Sequence, residues 1–451
     1  MKEYLQEIKM LFKIIIPIML AQISQMSIGF INSIMTKSLS HSEIAAISIG
    51  TSIWYPIILF GHGLLLSLVP IISYMNGSGK TKEISHQITN AYWLATFISI
   101  IIMSILWNIH YITSLIHNIN SIVEQKSINY IKILLWSTPG YLYFQVIQNQ
   151  CEGCLKPKPA MIVGILGLIL NITINYILIY KKIALFHFNN VGCALSIIVV
   201  YWFMFIMMKI ITRNDLLIHS PLDFKCRRFL PHLKTIKNFL KIGIPIASSL
   251  FFEVTLFTLI TLLIASLDIT QIVAHQIVLN ISSFIFILPL SIGTATSIRI
   301  GFYLGQKNFK KISITIISAQ IIGLILSSII SVFIILYYKN IIAWYTIDKN
   351  VIKLAEKILL ISAAYQIFDF FQIIGNGVLR SYKDTNIIFT ITLISYWILG
   401  FPIGYLLAVT DTIIPRIGAI GFWIGIFVSL ISSSLMTFLR ILSLHCNFKK
   451  I

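Results

Sequence analysis

Long apolar stretches separated by short polar segments make up most of the chain. Twelve of them are long enough for an α-helix to cross a bilayer, which takes about 20 mostly apolar residues. They lie at about 13–35, 48–74, 91–113, 128–150, 160–180, 191–212, 238–264, 272–298, 314–337, 352–376, 387–409 and 417–444. The longest polar stretch between them, about 213–237, is too short for a separate soluble domain. The pattern predicts an all-α membrane protein with twelve transmembrane helices.

The second half of the chain repeats the first. One fixed shift along the sequence places Pro17 on Pro245 and also Gly77 on Gly305. A shift shorter by a single position places FQVIQN (144–149) on FQIIGN (371–376). Such matches of unusual residues at nearly one offset are the signature of an internal repeat. We therefore predict that a six-helix unit was duplicated.

Because six is an even number of spans, both halves enter the membrane from the same side and form parallel repeats. The predicted organisation is an N-terminal six-helix lobe at 1–212, a cytoplasmic linker at 213–237 and a C-terminal six-helix lobe at 238–451. Secondary transporters built this way alternate access by rocking two bundles around a site between them. Pro17 and Pro245 interrupt helical hydrogen bonding in the first span of each half, either as tolerated kinks or as gating hinges.

The charge distribution indicates membrane topology and argues against a nucleic-acid partner. The chain of 451 residues is 57% hydrophobic and 11% charged, with a net charge of +19. If the N-terminus is cytoplasmic, the inner segments hold 24 of the 34 Lys and Arg residues and the outer segments hold 10. Basic residues collect in cytoplasmic loops of membrane proteins. We expect a multi-pass protein in the lipid bilayer with both termini in the cytoplasm.

The segment YMNGSGKTK (74–82) resembles the end of a nucleotide-binding loop. Such a loop reads G-x-x-x-x-G-K-[ST], because backbone N–H groups of a glycine-rich turn surround the phosphates. Gly79, Lys80 and Thr81 match its second half, but Tyr74 occupies the position of the first glycine. The spacing fails, so we predict a polar turn, no use of ATP, and an ion gradient as the energy source.

Two carboxylates lie within predicted spans, whereas the other thirteen acidic residues fall in loops or near span ends. These two, Glu253 and Asp369, are functional candidates because a charge in the hydrocarbon layer is costly without a partner or a cavity. Tyr365 lies one turn before Asp369, and Gln276 and Asn280 share a face of the eighth span. We hypothesise a cation or proton site at the two carboxylates with the other three as neutral lining. The alternative is a buried structural pair.

The polar candidates within the first-half spans are all amides. Asn32 lies on the first span, Gln148 on the fourth, and Asn171 and Asn175 on the fifth. Amides can hydrogen-bond or coordinate a cation weakly, but they do not titrate. They serve either in a binding site or in polar contacts between helices.

Several long motifs occur in a fixed order along the chain. They are GFINSIM (29–35), SIWYPIILFGHGLLLSLVPIISYMNGSGK (52–80), KPAMIVGILGLILNITINYILIY (158–180), FFEVTLF (251–257), AHQIVLNISSFIFILPLSIGTATSIRIG (274–301) and GNGVLRSYKDT (375–385). On these motifs the chain resembles the multidrug and toxic compound extrusion (MATE) family, in its NorM-like branch, across nearly its whole length.

The resemblance implies a secondary active multidrug efflux transporter of the bacterial inner membrane. It implies export of small cationic amphipathic compounds in antiport with Na⁺ or H⁺, by a monomer that is not an enzyme and needs no cofactor besides the coupling ion. Glu253 and Asp369 match the family's second-half cation site, where Na⁺ is one candidate ligand, and Tyr365 matches the aromatic residue beside them. Asn171 and Asn175 match polar positions of the first half.

Asn32 departs from the family pattern, whose first span usually reads G-F-x-D-[ST]-x-M. The chain has an amide where the aspartate belongs. It therefore either couples through Glu253 and Asp369 alone or is weakened. Its heavy use of Ile, Lys and Asn is typical of an AT-rich genome, such as that of a reduced bacterial symbiont, in which selection on this position could have relaxed.

Two other function classes compete with drug export. A flippase for lipid-linked sugars, or a metabolite transporter of the same superfamily, is the nearest rival, but a pyrophosphate cargo needs a cationic cavity and the central charges here are acidic. A membrane-embedded enzyme needs a base or metal ligands clustered at one depth, and the ten histidines show no such spacing.

Overall fold

The chain is almost entirely helical in the computed structural model, which describes residues 2–36, 40–113, 121–180, 189–213, 230–411 and 415–448. The helices of the first half are α1 (Lys2–Met35), α2 (His41–Leu65), α3 (Leu68–Gly77), α4 (Thr81–Trp107), α5 (His110–Thr113), α6 (Ser121–Leu134), α7 (Ser137–Gly153), α8 (Lys158–Asn175) and α9 (Asn189–Thr212). Those of the second half are α10 (Leu233–Ala265), α11 (Ile269–Gly305), α12 (Phe309–Ala343), α13 (Lys349–Ser381), α14 (Thr385–Thr392), α15 (Phe401–Val409) and α16 (Ala419–Phe448). Most of the predicted linker, residues 214–229, lies outside the described residues.

Eleven helical stretches in the described part of the chain are long and apolar enough to cross a membrane. The fourth of the twelve predicted spans is not among them, because it is divided into α6 and α7, whose 14 and 17 residues are each too few. Pro139 lies in the first turn of α7 and has no N–H to donate to a carbonyl of the preceding turn. The Thr138 N–H donates to the Leu135 carbonyl at 3.1 Å in place of the missing proline donor, and the Ser137 hydroxyl donates to the Leu134 carbonyl at 2.6 Å. The all-α membrane fold is confirmed, and the second predicted span is likewise interrupted, between α2 and α3.

The described helices form two compact units. The first-half unit comprises Ile16–Ala247, and the second-half unit comprises Met1–Ile15 together with Ser248–Ile451. Both boundaries fall inside a helix, since Ile15 is part of α1 and Ala247 is part of α10. The start of α1 therefore packs within the second-half unit, and the start of α10 packs within the first-half unit.

A buried ion pair holds the start of α1 in the second-half unit. Arg299 of α11 donates to both carboxylate oxygens of Glu7, from Nε at 2.8 Å and from Nη2 at 2.6 Å. The hydroxyls of Tyr303 and Thr315 donate to the same carboxylate at 2.8 and 2.9 Å. Glu7 is 6% exposed and Arg299 is 5% exposed. A buried charge pair is tolerated when it is this fully hydrogen-bonded, and losing either partner is costly.

Residues with a left-handed backbone conformation lie at corresponding positions of the two halves. Gly79 has φ of +72° and Lys307 has φ of +57°, and the shift that places Pro17 on Pro245 also places Gly79 on Lys307. The same shift relates Leu155 and Lys383, which have φ of 63° and 59°. A left-handed residue is a common way to end a helix. The two halves thus end corresponding helices in the same way, as a duplication requires.

The segment YMNGSGKTK forms one of these helix ends. The Lys80 N–H donates to the Met75 carbonyl at 3.0 Å, across the left-handed Gly79. This six-to-one bond is the mark of a Schellman motif, which satisfies carbonyls at the end of α3. Glycine suits the position because it has no Cβ to clash at positive φ. The glycines of this segment therefore have a structural role in ending a helix.

The fifth span of each half contains a π-helical stretch. Tyr176–Tyr180 continues α8, and Leu393–Gly400 joins α14 to α15. An extra residue per turn rotates the side chains that follow it, and such stretches are frequent at functional sites. In the second half this stretch carries Tyr396 and Trp397, which lie near the candidate carboxylates.

Candidate functional site

Glu253 on α10 and Asp369 on α13 belong to one electrostatic cluster in the second-half unit. Their negative charges act on each other and on the hydroxyl of Tyr396. Asp369 is 6% exposed and Glu253 is half-buried. Neither carboxylate forms a salt bridge or a hydrogen bond with another described residue. A buried carboxylate without such a partner is stabilised when it binds a proton or a cation.

Aromatic residues surround this cluster. Tyr365 is buried one turn before Asp369, and its hydroxyl interacts with Ser282 and Ser362. Tyr396 is 1% exposed, and its hydroxyl donates to Gln372 Oε1 at 3.1 Å. Aromatic rings can hold a cation against their faces. The prediction placed Tyr365 here and missed Tyr396, whose position depends on the π-helical stretch.

Trp397 joins the π-helical stretch to α10 next to Glu253. Its indole N–H donates to the Phe252 carbonyl at 3.1 Å, and the two rings meet edge to face at 5.7 Å. The hydrogen bond fixes the backbone immediately before Glu253. Sequence reasoning missed this contact because 145 residues separate the partners.

Arg380 supplies a positive charge near the end of α13. Its guanidinium is half-buried and interacts electrostatically with Glu253. The cluster of Glu253, Asp369 and Arg380 therefore carries one negative charge in excess when all three are ionised. One monovalent cation or one proton would neutralise it.

Gln276 and Asn280, the predicted neutral lining on α11, are not joined to the carboxylates. Gln276 is half-buried and Asn280 is exposed, and neither forms a hydrogen bond with another described residue. No group of three or more His, Cys, Asp or Glu side chains that could hold a metal ion occurs among the described residues. The carboxylate pair thus has too few ligands of these types for a tight divalent site.

The predicted first-half amides are brought together in the first-half unit. Asn175 Nδ2 donates to Asn32 Oδ1 at 2.6 Å, and both side chains are buried. Asn171, one turn before Asn175 on α8, is fully buried. Both amide atoms of Asn171 and the Oδ1 atom of Asn175 have no hydrogen-bond partner among the described residues. Unsatisfied buried amides can accept water or a weakly held ligand.

A second polar chain in the first-half unit ends on a carboxylate that the prediction passed over. Gln145 donates to Gln25 at 3.3 Å, Gln25 to Gln148 at 3.1 Å, and Gln148 to Glu152 Oε1 at 2.9 Å. Glu152 is 3% exposed. The prediction set Glu152 aside because it lies near the end of a predicted span, and its burial there could not be read from the sequence.

Pro17 and Pro245 both lie inside continuous helices, α1 and α10. Each lies close to the point where its helix passes from one compact unit to the other, after Ile15 and after Ala247. Because proline cannot donate the backbone hydrogen bond of a helix, bending is easiest at these positions.

Comparison with known proteins places the chain in a family. The MatE family model matches the chain twice, over residues 17–177 and 245–406. The two matches begin at Pro17 and Pro245, which the sequence repeat had already aligned with each other, so the predicted duplication is confirmed.

Whole-length relatives agree with this match. The chain is 63% identical over 445 residues to "Probable multidrug resistance protein NorM" of Buchnera aphidicola subsp. Baizongia pistaciae, covering 98% of this chain and 99% of that protein. It is 42% identical over 444 residues to "Multidrug resistance protein MdtK" of Yersinia pseudotuberculosis serotype O:1b, covering 98% and 96%. These names are those of resistance proteins, in agreement with the prediction that the chain is not an enzyme.

A solved structure shows the same fold at low sequence identity. The structure titled "Crystal structure of eukaryotic MATE transporter AtDTX14" matches with a TM-score of 0.87 at 20% identity, over 98% of this chain and 96% of that one. The two-lobe fold, the repeated family match and the whole-length relatives lead to one conclusion: the chain belongs to the MATE family, beside the NorM and MdtK proteins.

Proposed function

We propose that the protein exports small cationic, amphipathic compounds across a bacterial inner membrane in antiport with Na⁺ or H⁺. The family match and the names of the relatives support multidrug export. The observation that carries the coupling proposal is the pair Glu253 and Asp369, which interact with each other and lack ion-pair partners among the described residues.

Antiport follows from competition for the same negative charge. Two carboxylates that repel each other in an apolar surrounding are stabilised by any positive charge that reaches them. Na⁺, H⁺ and the cationic group of a substrate relieve the same repulsion, so binding of one disfavours binding of another. Exchange of substrate for ion is the consequence.

Arg380 supports a simple stoichiometry for this exchange. Arg380 and Asp369 each interact electrostatically with Glu253, so the three groups together lack one positive charge when all are ionised. We propose that one monovalent cation or proton is exchanged for one monocationic substrate. The nearby rings of Tyr365, Tyr396 and Trp397 favour cationic, partly apolar compounds over anionic ones.

In the first half, we propose that Asn32, Asn171 and Asn175 contribute polar contacts without the coupling charge. Their neutrality supports coupling through Glu253 and Asp369, the first of the two alternatives that the missing aspartate leaves open. Gln276 and Asn280 remain candidate lining on α11.

We propose that Pro17 and Pro245 act as hinges. The passage of α1 and α10 between compact units at these prolines supports bending there. The excess of Lys and Arg in one set of loops supports cytoplasmic termini. We further propose that the protein works as a monomer driven by the ion gradient and not by ATP.

The test is ethidium accumulation in an efflux-deficient bacterial host under imposed sodium and proton gradients. We expect the native protein to lower accumulation and the Glu253→Gln/Asp369→Asn double variant to behave like the empty host. The matched control is Asp268→Asn/Glu356→Gln, which removes two carboxylates of the same half outside the cluster and should export normally. Normal export by the first double variant, at equal membrane content, would refute coupling through these carboxylates.

A further inference from the structure

His275 of α11 is a buried imidazole in the second-half unit that the exchange mechanism does not use. It is 0% exposed. Its Nδ1 atom lies 3.1 Å from the indole Nε1 of Trp423, and its Nε2 atom lies 2.9 Å from the hydroxyl of Thr261. Each ring nitrogen therefore has a hydrogen-bond partner, and the two bonds fix the orientation of the imidazole.

The directions of these hydrogen bonds follow from the chemistry of the partners. An indole N–H can only donate, so Nδ1 of His275 accepts from Trp423. The Thr261 hydroxyl donates its hydrogen to the Phe257 carbonyl at 2.8 Å, so it accepts from Nε2–H of His275. The imidazole is thus the neutral tautomer with its hydrogen on Nε2. A second hydrogen on Nδ1 would face the indole N–H, so His275 is poorly placed to carry a proton.

The same chain of contacts reaches the candidate cation site. The Trp423 ring stacks on the ring of Tyr365, with centroids 6.1 Å apart and planes 10° from parallel. Tyr365 lies one helical turn before Asp369 on α13, and the two interact electrostatically. Residues four apart on a helix are neighbours on its surface. The plane of the indole therefore limits where the tyrosine ring beside Asp369 can lie.

We propose that His275 is a positioning residue for the cation site, acting through Trp423 and Tyr365. The inference rests on the proposed function, because it gives Asp369 and Tyr365 a role in binding the coupling cation. Thr261 on α10 orients the imidazole, the imidazole orients the indole of α16, and the indole supports Tyr365 on α13. Four helices are joined by this chain, and none of its linking groups carries a charge.

The test measures ethidium export as a function of the concentration of the coupling cation, Na⁺ or H⁺, whichever drives the native protein. His275→Leu leaves the indole N–H of Trp423 without an acceptor. Loss of one hydrogen bond corresponds to about 1 kcal/mol, so we expect the half-saturating cation concentration to rise about fivefold. We expect the maximal rate per folded molecule to stay within about twofold, since the carboxylates are still present.

Two matched pairs of variants separate positioning from general damage. His275→Gln keeps an acceptor and a donor, and Thr261→Ser keeps the hydroxyl, so both should retain the native half-saturating concentration. Thr261→Val has nearly the shape of threonine but lacks the hydroxyl acceptor, so it should raise the half-saturating cation concentration as His275→Leu does. If His275→Leu does not fold, Thr261→Val is the variant that tests the proposal.

The proposal is overturned if His275→Leu and Thr261→Val keep the native half-saturating concentration, or lose rate only in proportion to the amount of folded protein. Asp369→Asn distinguishes this failure from failure of the proposed function. If Asp369→Asn is inactive and His275→Leu keeps the native half-saturating concentration, only the positioning role is refuted. If Asp369→Asn is active, the cation site itself is refuted.

Discussion

The two halves of this protein share a helix plan but differ in the charge within it. Left-handed helix ends recur at the offset of the sequence repeat, so the backbone of the duplicated unit is preserved. The polar cluster of the second half contains Glu253 and Asp369, whereas that of the first half is built from Asn32, Asn171 and Asn175. Duplication thus keeps a scaffold while leaving its side-chain chemistry free to diverge.

The largest expected effect is the loss of export on neutralising one second-half carboxylate. Asp369→Asn removes the charge that we expect to hold the cation and should lower ethidium export more than about tenfold. In the first half, Asn175→Ala removes an uncharged hydrogen bond to Asn32, and the loss should stay below about threefold. Export assays at matched membrane content compare the two. Equal losses would mean that the halves contribute alike.

A large effect on stability is expected from the buried ion pair that anchors α1. Glu7→Gln leaves the Arg299 guanidinium buried without a countercharge, which costs about 3 kcal/mol or more. Thermal unfolding in detergent should show a clearly lower midpoint. Glu3→Gln is the control, because the Glu3–Lys310 pair at 3.0 Å is largely exposed and such pairs contribute at most about 1 kcal/mol. A Glu7→Gln protein as stable as Glu3→Gln would contradict an energetic role for the pair.

A smaller effect is expected from returning a carboxylate to the first half. Asn32→Asp places a charge in a buried site where Asn175 supplies one donor, so we expect a destabilisation of about 2 kcal/mol at neutral pH. Protonation removes this charge, and stability should therefore approach that of the native protein as the pH falls. Thermal unfolding with sodium or choline chloride adds a second comparison. Stabilisation by sodium in this variant alone would show that the first-half amides can become a cation site.

The smallest effect is expected at Glu152. Glu152→Gln keeps an oxygen to accept the hydrogen bond from Gln148, so export and stability should change little, by less than about 1 kcal/mol. Glu152→Ala removes the acceptor and serves as the reference for structural loss. If Glu152→Gln abolishes export in a stable protein, a carboxylate of the first half is also needed for export. The two halves would then not differ in the way proposed here.

Sequence patterns were sufficient for the apolar spans and the repeat, and they singled out the two carboxylates that the structure places in one electrostatic cluster. Apolar length predicts a span directly, and the rarity of Glu253 and Asp369 in apolar helices marked them as candidates. The helical period placed Tyr365 beside Asp369. The breaks within the second and fourth spans were not predicted, because hydropathy records composition and does not register a missing backbone donor such as that of Pro139.

Contacts between distant helices could not be read from the chain. Glu7 and Arg299 are 292 residues apart, and their pairing depends on how α1 packs against α11. One signal was available, since an arginine within the apolar run SIGTATSIRIG needs a partner. Tyr396 and His275 gave no such signal, because aromatic residues and single histidines are common in membrane helices, and their roles depend on which side chains lie opposite.

Coupling through the second-half carboxylates can be tested with the purified protein in liposomes, with ethidium movement and counterflow of Na⁺ or H⁺ recorded together. We expect an imposed cation gradient to drive ethidium in the opposite direction through the native protein, and the Glu253→Gln/Asp369→Asn variant, correctly inserted, to move neither species. Cation-driven ethidium transport by that variant would contradict the claim that the second half carries the coupling charge.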